Sequence, residues 1–469
     1  MPQPVRRRVV LAVCCLSLFM VGLDNTIVNL ALPSIRHELG ASVSSLQWTI
    51  DAYTLVLAGL LMLSGSTADR IGRRRTFQTG LALFSLGSLL CGIAPNVGLL
   101  VAFRALQAVG GSMLNPVALS IVANVFTDPR ERARAIGVWA GVTGLSMAVG
   151  PVLGGALVGW AGWRSIFWIN VPVGLAAIVL TAVFVPESRA PHPRRLDPVG
   201  QLLVIVLLAS LTYGIIEGRG TGWGAPVIVG CFVVAAAALA ILLPYERRRR
   251  DPLLELRFFR SVPFSGATLT AVTGFAALSG FLFLNTLYLQ DTRGFSALHA
   301  GLLTLPMAAV TAVGAPLSGR VVGARGPRLP LLVAGAGIAA SGFVLAGIGP
   351  ATPIPVLMVG YVCFGAGFGV LNAPITNAAV SGMPRERAGL AAAVASTSRQ
   401  VGISLGVAVI GAVVAADEGT PPGTGRAVWG IVAGCGVLVF ALGLVTTGRW
   451  ARATAARVNG PDHDSASVA

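Results

Sequence analysis

The chain has 469 residues, 55% of them hydrophobic and 11% charged, with a formal net charge of +16. A soluble domain carries roughly 25% charged residues, so these proportions exclude a water-soluble enzyme and predict a polytopic membrane protein. All 34 basic residues are arginine. They lie mostly in short stretches between apolar runs, so membrane topology explains them better than nucleic acid.

A spanning helix needs about 20 apolar residues. Apolar runs bounded by charge, proline or glycine predict fourteen spans, at 9–33, 46–64, 77–95, 98–125, 135–159, 164–185, 199–217, 225–244, 264–289, 299–321, 329–348, 354–380, 389–415 and 427–447. With the N-terminus inside, the inside segments hold 27 arginines and the outside segments 5, while Arg104 and Arg399 fall within spans. That bias predicts a multi-pass protein of the cytoplasmic membrane with both termini inside. Arg6 to Arg8 followed by an apolar run imitates a signal peptide. The run is long, carries Asp24 and precedes many more spans, so it reads as a retained first helix.

An internal repeat is visible. Pro129-Arg130-Glu131-Arg132-Ala133 recurs as Pro384-Arg385-Glu386-Arg387-Ala388, and Leu114-Asn115 recurs as Leu371-Asn372. Leu63-Ser64-Gly65 with Gly72 recurs as Leu317-Ser318-Gly319 with Gly326, at nearly the same offset. The expected domains are a six-helix half at 1–190, an inserted two-helix hairpin with its linkers at 191–260, a second six-helix half at 261–448, and a disordered cytoplasmic tail at 449–469. Paired halves around a midplane site are the build of a rocking transporter.

Taken in order, helix 1 ends Leu23-Asp24-Asn25-Thr26-Ile27-Val28-Asn29-Leu30-Ala31-Leu32-Pro33. An acid inside a span costs about 2.5–3.5 kcal/mol on insertion scales, and it usually faces the protein interior and carries function. The plainer reading is an Asp24 held structurally by Asn25, Thr26 or Asn29. Helix 2 opens Gln47-Trp48-Thr49-Ile50-Asp51-Ala52-Tyr53, with Asp51 about one turn from the outer surface and Trp48 as an interfacial anchor. Between helices 2 and 3 comes Gly65-Ser66-Thr67-Ala68-Asp69-Arg70-Ile71-Gly72-Arg73-Arg74-Arg75. Its glycines permit a tight turn, and Asp69 is placed to cap backbone N–H groups and to pair with an arginine. Helix 4 carries Arg104-Ala105-Leu106-Gln107-Ala108-Val109-Gly110. A buried arginine needs a counter-charge, and either Asp24 or Asp51 can supply it. Helix 5 holds Gly137, Ser146, Gly150, Pro151, Gly154 and Gly155, a spacing that lets helices approach closely.

The loop pattern G-x-x-x-D-R-x-G-R-R, carried by Gly65, Asp69, Arg70, Gly72, Arg73 and Arg74, resembles the signature loop of the major facilitator superfamily of secondary transporters. The helix 1 pattern, the Arg104–Gly110 pattern and Trp163-Arg164 with Phe167–Gly174 resemble the superfamily's 14-helix drug:proton antiporters. Ala108 stands where glycine is usual. The helix 5 pattern resembles a motif of exporters, with Ser146 in place of a glycine. The resemblance implies an all-α major facilitator fold and export of small lipophilic drugs or antibiotics against an inward proton flow, by alternating access. It also implies proton coupling through Asp24, Asp51 and Arg104, and an inner gate at the Gly65–Arg75 loop. A metabolite importer of the same fold and a non-transporting receptor or scaffold remain as alternatives.

Candidate cavity residues are Tyr53, Gln107 and Asn115 in the first half and Asn285, Asn372, Asn377 and Arg399 in the second. Pro374 is expected to interrupt helix 12 beside Asn372 and Asn377. Phe275, Phe281, Phe283, Tyr288, Tyr361, Phe364 and Phe368 offer an apolar wall. The six cysteines and four histidines show no metal-ligand or C-x-x-C spacing, and the absence of lysine excludes a P-loop. The expected partners are therefore a small-molecule substrate, protons and the bilayer, with no cofactor, no metal and no nucleic acid, around a monomer that is not an enzyme.

Overall fold

A bilayer interior offers backbone N–H and C=O groups no partner, so an apolar chain that enters it satisfies them within its own helices. In a computed structural model, described over residues 3–189, 197–249, 252, 255–380, 388–416 and 421–458, the described residues are helical with short connections. The first part holds α1 (Gln3–Leu39), α2 (Val43–Ile71), α3 (Arg73–Gly92), α4 (Val97–Val125), α5 (Pro129–Ala161), α6 (Ser165–Trp168) and α7 (Asn170–Phe184). Next come α8 (Pro198–Thr221) and α9 (Pro226–Arg248). The last part holds α10 (Val262–Leu287), continued by a π-helical turn Tyr288–Thr292, then α11 (Ala297–Leu303), α12 (Leu305–Arg325), α13 (Arg328–Leu345), α14 (Ile354–Gly369), α15 (Asn372–Val380), α16 (Ala388–Ala416), α17 (Arg426–Thr446) and α18 (Arg449–Val458).

Twelve of these segments are long and apolar enough to cross a membrane by length and composition. The sequence expectation was fourteen. The two remaining helices are α3 and α5. Arg73, Arg74 and Arg75 begin the first, and Arg130, Glu131, Arg132 and Arg134 lie in the opening turns of the second. Charge and small polar residues dilute the run of α3, whereas the described part of α5 carries a shorter apolar stretch, Val149–Ala161. The tail expected to be disordered begins with a helix, α18, whose Thr454 hydroxyl accepts the Val262 N–H at 3.0 Å.

Helices α1 to α7 pack on one another, with α3 and α2 against α4, α1 against α5 and α3 against α7. Helices α10 to α17 form a second group, with α13 against α17 and α14, and α10 against α16. The α8–α9 pair stands apart, and α8 touches both α2 and α16. Arginines gather at one end of the bundle. There Arg6 donates to the Phe184 carbonyl at 3.0 Å and Arg7 pairs with Glu131 at 3.1 Å. At the arginine-poor end Arg164 and Trp163 both bind Glu38.

Candidate functional site

Asp24 lies in the middle of α1, fully buried, and the first group of helices is built around it. Arg104 Nη1 donates to Asp24 Oδ2 at 2.6 Å, and Gln107 Nε2 donates to Oδ1 at 2.9 Å. Asn170 Nδ2 reaches the same oxygen at 3.5 Å. Arg104 spends its other donors on the Thr49 carbonyl (3.1 Å) and Gln107 Oε1 (2.7 Å), and Gln107 also donates to Ser88 (2.8 Å). Tyr53 lies flat against the guanidinium, 4.3 Å from its ring centre, with the Phe167 ring 5.7 Å away. Five helices, α1, α2, α3, α4 and α7, thus meet in one closed network. An ion pair this deep persists only when hydrogen bonds satisfy its remaining valences.

Sequence reasoning left open which acid Arg104 serves; the geometry pairs it with Asp24. Tyr53 and Gln107, expected at a substrate cavity, belong to this network. Ser88 and the Thr49 carbonyl were not foreseen, because neither carries a local signal.

Asp51 has different surroundings. It was expected about one turn from the surface. Its side chain is completely buried, with α16 and α8 packed along α2. Among the described residues no cation contacts it. Thr54 Oγ1 sits 3.3 Å from its Oδ1, the Ser404 hydroxyl of α16 faces it, and Oδ2 carries no hydrogen bond. One turn away, Gln47 Nε2 donates to the carbonyls of Val407 (3.0 Å) and Ala408 (2.9 Å) on α16. Trp48, expected as a lipid-interface anchor, donates from its indole to Glu217 on α8 at 2.8 Å and packs on Tyr213.

The two helix groups join toward the arginine-poor end. Gly150 and Gly154 of α5 lie against Thr26 and Ile27 of α1, where any side chain would collide. A Cβ on Gly155 would stand 2.5 Å from the Ala297 carbonyl of α11, and Gly301 of α11 abuts the Pro151 carbonyl. The exporter-like helix therefore seals α1 to α11. Arg36 pairs with Asp291 at 3.3 Å and Gln290 donates to the Leu30 carbonyl at 3.0 Å, both across the groups. A cavity of about 280 Å³ lies beside them, lined by Pro33, His37, Gln290, Asp291 and Phe295 among others. Between the groups, Thr26 and Pro151 face Leu278, Met307, Phe364 and Phe368 around a void of only about 10 Å³.

The signature stretch is not an extended loop. α2 runs on to Ile71, and Gly72 alone makes the turn, with φ +125°. Asp69 pairs with Arg73 at 3.0 Å but caps no N–H group that the structure resolves. Glu187, which sequence reasoning passed over, takes the Arg74 N–H at 3.2 Å and approaches Arg75 at 3.8 Å, and the Ser188 carbonyl takes the Arg73 N–H. Gly65 lies near Pro116, and Arg70 is engaged.

In the second group, helix 12 breaks between α14 and α15, and the Ser318 hydroxyl binds the Val370 carbonyl that the break frees, at 2.7 Å. Asn285 accepts from the Tyr361 hydroxyl. Phe281, Phe283, Tyr288, Tyr361, Phe364 and Phe368 are buried, with Phe281 stacked on Phe364 at 4.3 Å, so most of the expected cavity wall is packed core. Arg399 donates to Thr376 at 2.7 Å near the Phe275 ring. Asn115 and Asn372 are half-buried and Asn377 is exposed. The repeat partner at 384–387 lies outside the described residues.

A family model described as Major Facilitator Superfamily matches residues 14–407. The chain is 38% identical to "Multidrug resistance protein Stp" of Mycobacterium tuberculosis, over 86% of this chain and 74% of that one. It is 37% identical to "Puromycin resistance protein pur8" of Streptomyces alboniger, over 95% and 90%. The crystal structure of a D-xylose–proton symporter superposes with a TM-score of 0.67 at 16% identity, over 93% of this chain and 97% of that one, which shows a shared fold. A match to the family across most of the chain, relatives at this identity, and a helical bundle of the same fold together make this chain a member of the major facilitator superfamily.

Proposed function

We propose that the protein is a proton-coupled antiporter that exports small lipophilic drugs or antibiotics by alternating access. The observation that carries this reading is Asp51, a carboxyl group buried on the seam between two helix groups with no cation among its contacts. An ionised carboxylate is strongly disfavoured in such a place, whereas its neutral form is tolerated. Taking up a proton at Asp51 lets α2 and α16 close; losing it to the other side drives them apart. Asp24, tied to Arg104, keeps the first half in register during that motion and passes on changes in charge through Gln107. The resistance proteins to which the chain is similar support export over uptake.

In this reading the bundle is the 14-helix form of the fold, with α3 and α5 as spans despite their charged first turns. Residues 1–190 and 261–448 are the two halves, 191–260 the inserted hairpin, and 449–469 a cytoplasmic tail. The arginine-rich end faces the cytoplasm. The contacts gathered at the arginine-poor end then correspond to a closed outer gate, with the Gly65–Arg75 turn near the inner one. One proton charge crossing 100 mV releases about 2.3 kcal/mol, enough for roughly fiftyfold accumulation of a neutral substrate.

The test is a compound-susceptibility screen in a pump-deficient host, with and without a proton uncoupler. Tolerance to lipophilic antibiotics that the uncoupler abolishes is the expected result. Tolerance that survives the uncoupler, or none at all, counts against the reading. In proteoliposomes an importer reverses the sign of substrate flux, and a scaffold shows no flux.

A further inference from the structure

The first helix of the α8–α9 pair is held unevenly by its polar contacts. α8 runs antiparallel to α2 and is fastened to it at both ends. Near its start Gln201 donates to the Gly59 carbonyl, and Ile205 fills the space over Gly59. Near its other end Glu217 takes the Trp48 indole N–H at 2.8 Å, with Tyr213 against the Trp48 ring. The sixteen helical steps from Gln201 to Glu217 span roughly 24 Å, most of a bilayer core.

α8 packs on α16 at least as extensively as on α2, but among the described residues its polar contact there is a single pair. Thr212 Oγ1 stands 3.4 Å from Ser404 Oγ, both side chains being buried. That separation exceeds the usual range for a hydroxyl pair, so the contact is weak next to the two on α2. The Ser404 hydroxyl also faces Asp51. One hydroxyl on α16 is thus shared between the buried acid of α2 and the strap formed by α8.

We infer that α8 is a strap carried by the first helix group, and that Thr212 is a positioning residue which latches Ser404 and holds its hydroxyl toward Asp51 while the arginine-poor end is closed. Apolar packing of helices gains no hydrophobic drive inside a bilayer, so the polar contacts to α2 decide which group the strap follows, and the weak one to α16 is suited to break in every cycle. The charged and titratable side chains on the surrounding helices are committed elsewhere: Arg104 to Asp24, Glu217 to Trp48, and Arg399 to Thr376. The inference rests on the alternating-access reading.

The test uses full-length protein in nanodiscs, in a cysteine-free background with Ser44→Cys and Ala416→Cys carrying spin labels at the arginine-poor ends of α2 and α16. Wild-type protein should show a close and a distant population by pulsed electron resonance. Thr212→Val should raise the distant population at least twofold, and Thr212→Ser should restore the wild-type distribution, which a merely space-filling role does not require. Thr212→Val combined with Ser404→Ala should shift no further than Ser404→Ala alone, since both remove one contact. A Thr212→Val distribution that superposes on wild type, a failed rescue by serine, or additive shifts overturns the latch alone. Should the valine variant not fold, the serine rescue is replaced by Thr212→Ala against Thr212→Ser with the same criteria. A wild-type protein with one immovable population overturns both the latch and the alternating-access reading.

Discussion

Arg104 Nη1 stands 2.6 Å from Asp24 Oδ2 in the buried centre of the first helix group, while Asp51, on the adjacent helix, has no cation among its contacts. Two acids that look alike in the sequence therefore have different surroundings. One is neutralised by a fixed partner and organises five helices. The other lies on the seam between the two helix groups with a hydroxyl across from it.

Breaking the ion pair from the arginine side leaves a buried carboxylate uncompensated. Arg104→Gln should lower stability by about 3–5 kcal/mol, read as a fall in the Tm of detergent-purified protein. Asp24→Asn should abolish proton-coupled efflux, and combining the two changes should cost less than the sum of the singles. A fully active Asp24→Asn protein removes that residue from the coupling scheme.

Asp51→Asn preserves shape and disturbs no ion pair, so its Tm should stay close to wild type. Efflux and proton release should nevertheless fall at least tenfold, measured with a pH-sensitive dye inside proteoliposomes. Unchanged proton release in this variant would falsify the role given to Asp51.

The seal at the arginine-poor end is tight enough to be wedged. A side chain at Gly155 runs into the Ala297 backbone, so Gly155→Leu should hold that end apart. Thiol labelling of an Ala300→Cys reporter, at a buried position of α11, should then speed up severalfold while transport is lost. Labelling as slow as in the Gly155 protein would mean that α5 and α11 part without consequence.

Glu187 takes the place at the start of α3 that Asp69 was expected to fill. Glu187→Ala should destabilise by about 0.5–2 kcal/mol, the usual range for a lost helix cap, whereas Asp69→Ala should cost less than about 1 kcal/mol because its pair with Arg73 is partly exposed. Thermal unfolding of the two variants ranks them; the reverse order would contradict the capping assignment.

Much of this was legible in residue order because it depends on local composition. Long apolar runs must become helices in a membrane, and an acid such as Asp24 stands out in one by its insertion cost. The glycines of α5 announce close packing, and Gly72 announces a turn. The repeats of Leu114-Asn115 and of the arginine-rich loops place equivalent helices in both halves before any coordinate is known. The charged first turn of α3 blurs the span count for the same local reason.

What local composition leaves open is which polar side chain meets which. Asp24 and Asp51 both lie within reach of helix 4 on paper. Only the rotation of α1 and α2 about their axes turns the first toward Arg104 and the second toward α16. Trp48 reads as a lipid anchor until α8 lies beside it, and Glu187 and Ser404 look ordinary until folding brings them to Arg74 and Asp51. Chain order by itself determined that this is a helical membrane transporter with acids inside its spans. Only the tertiary structure decided their partners, because a helix face is set by packing against neighbours far away along the chain, 80 residues for Asp24 and Arg104.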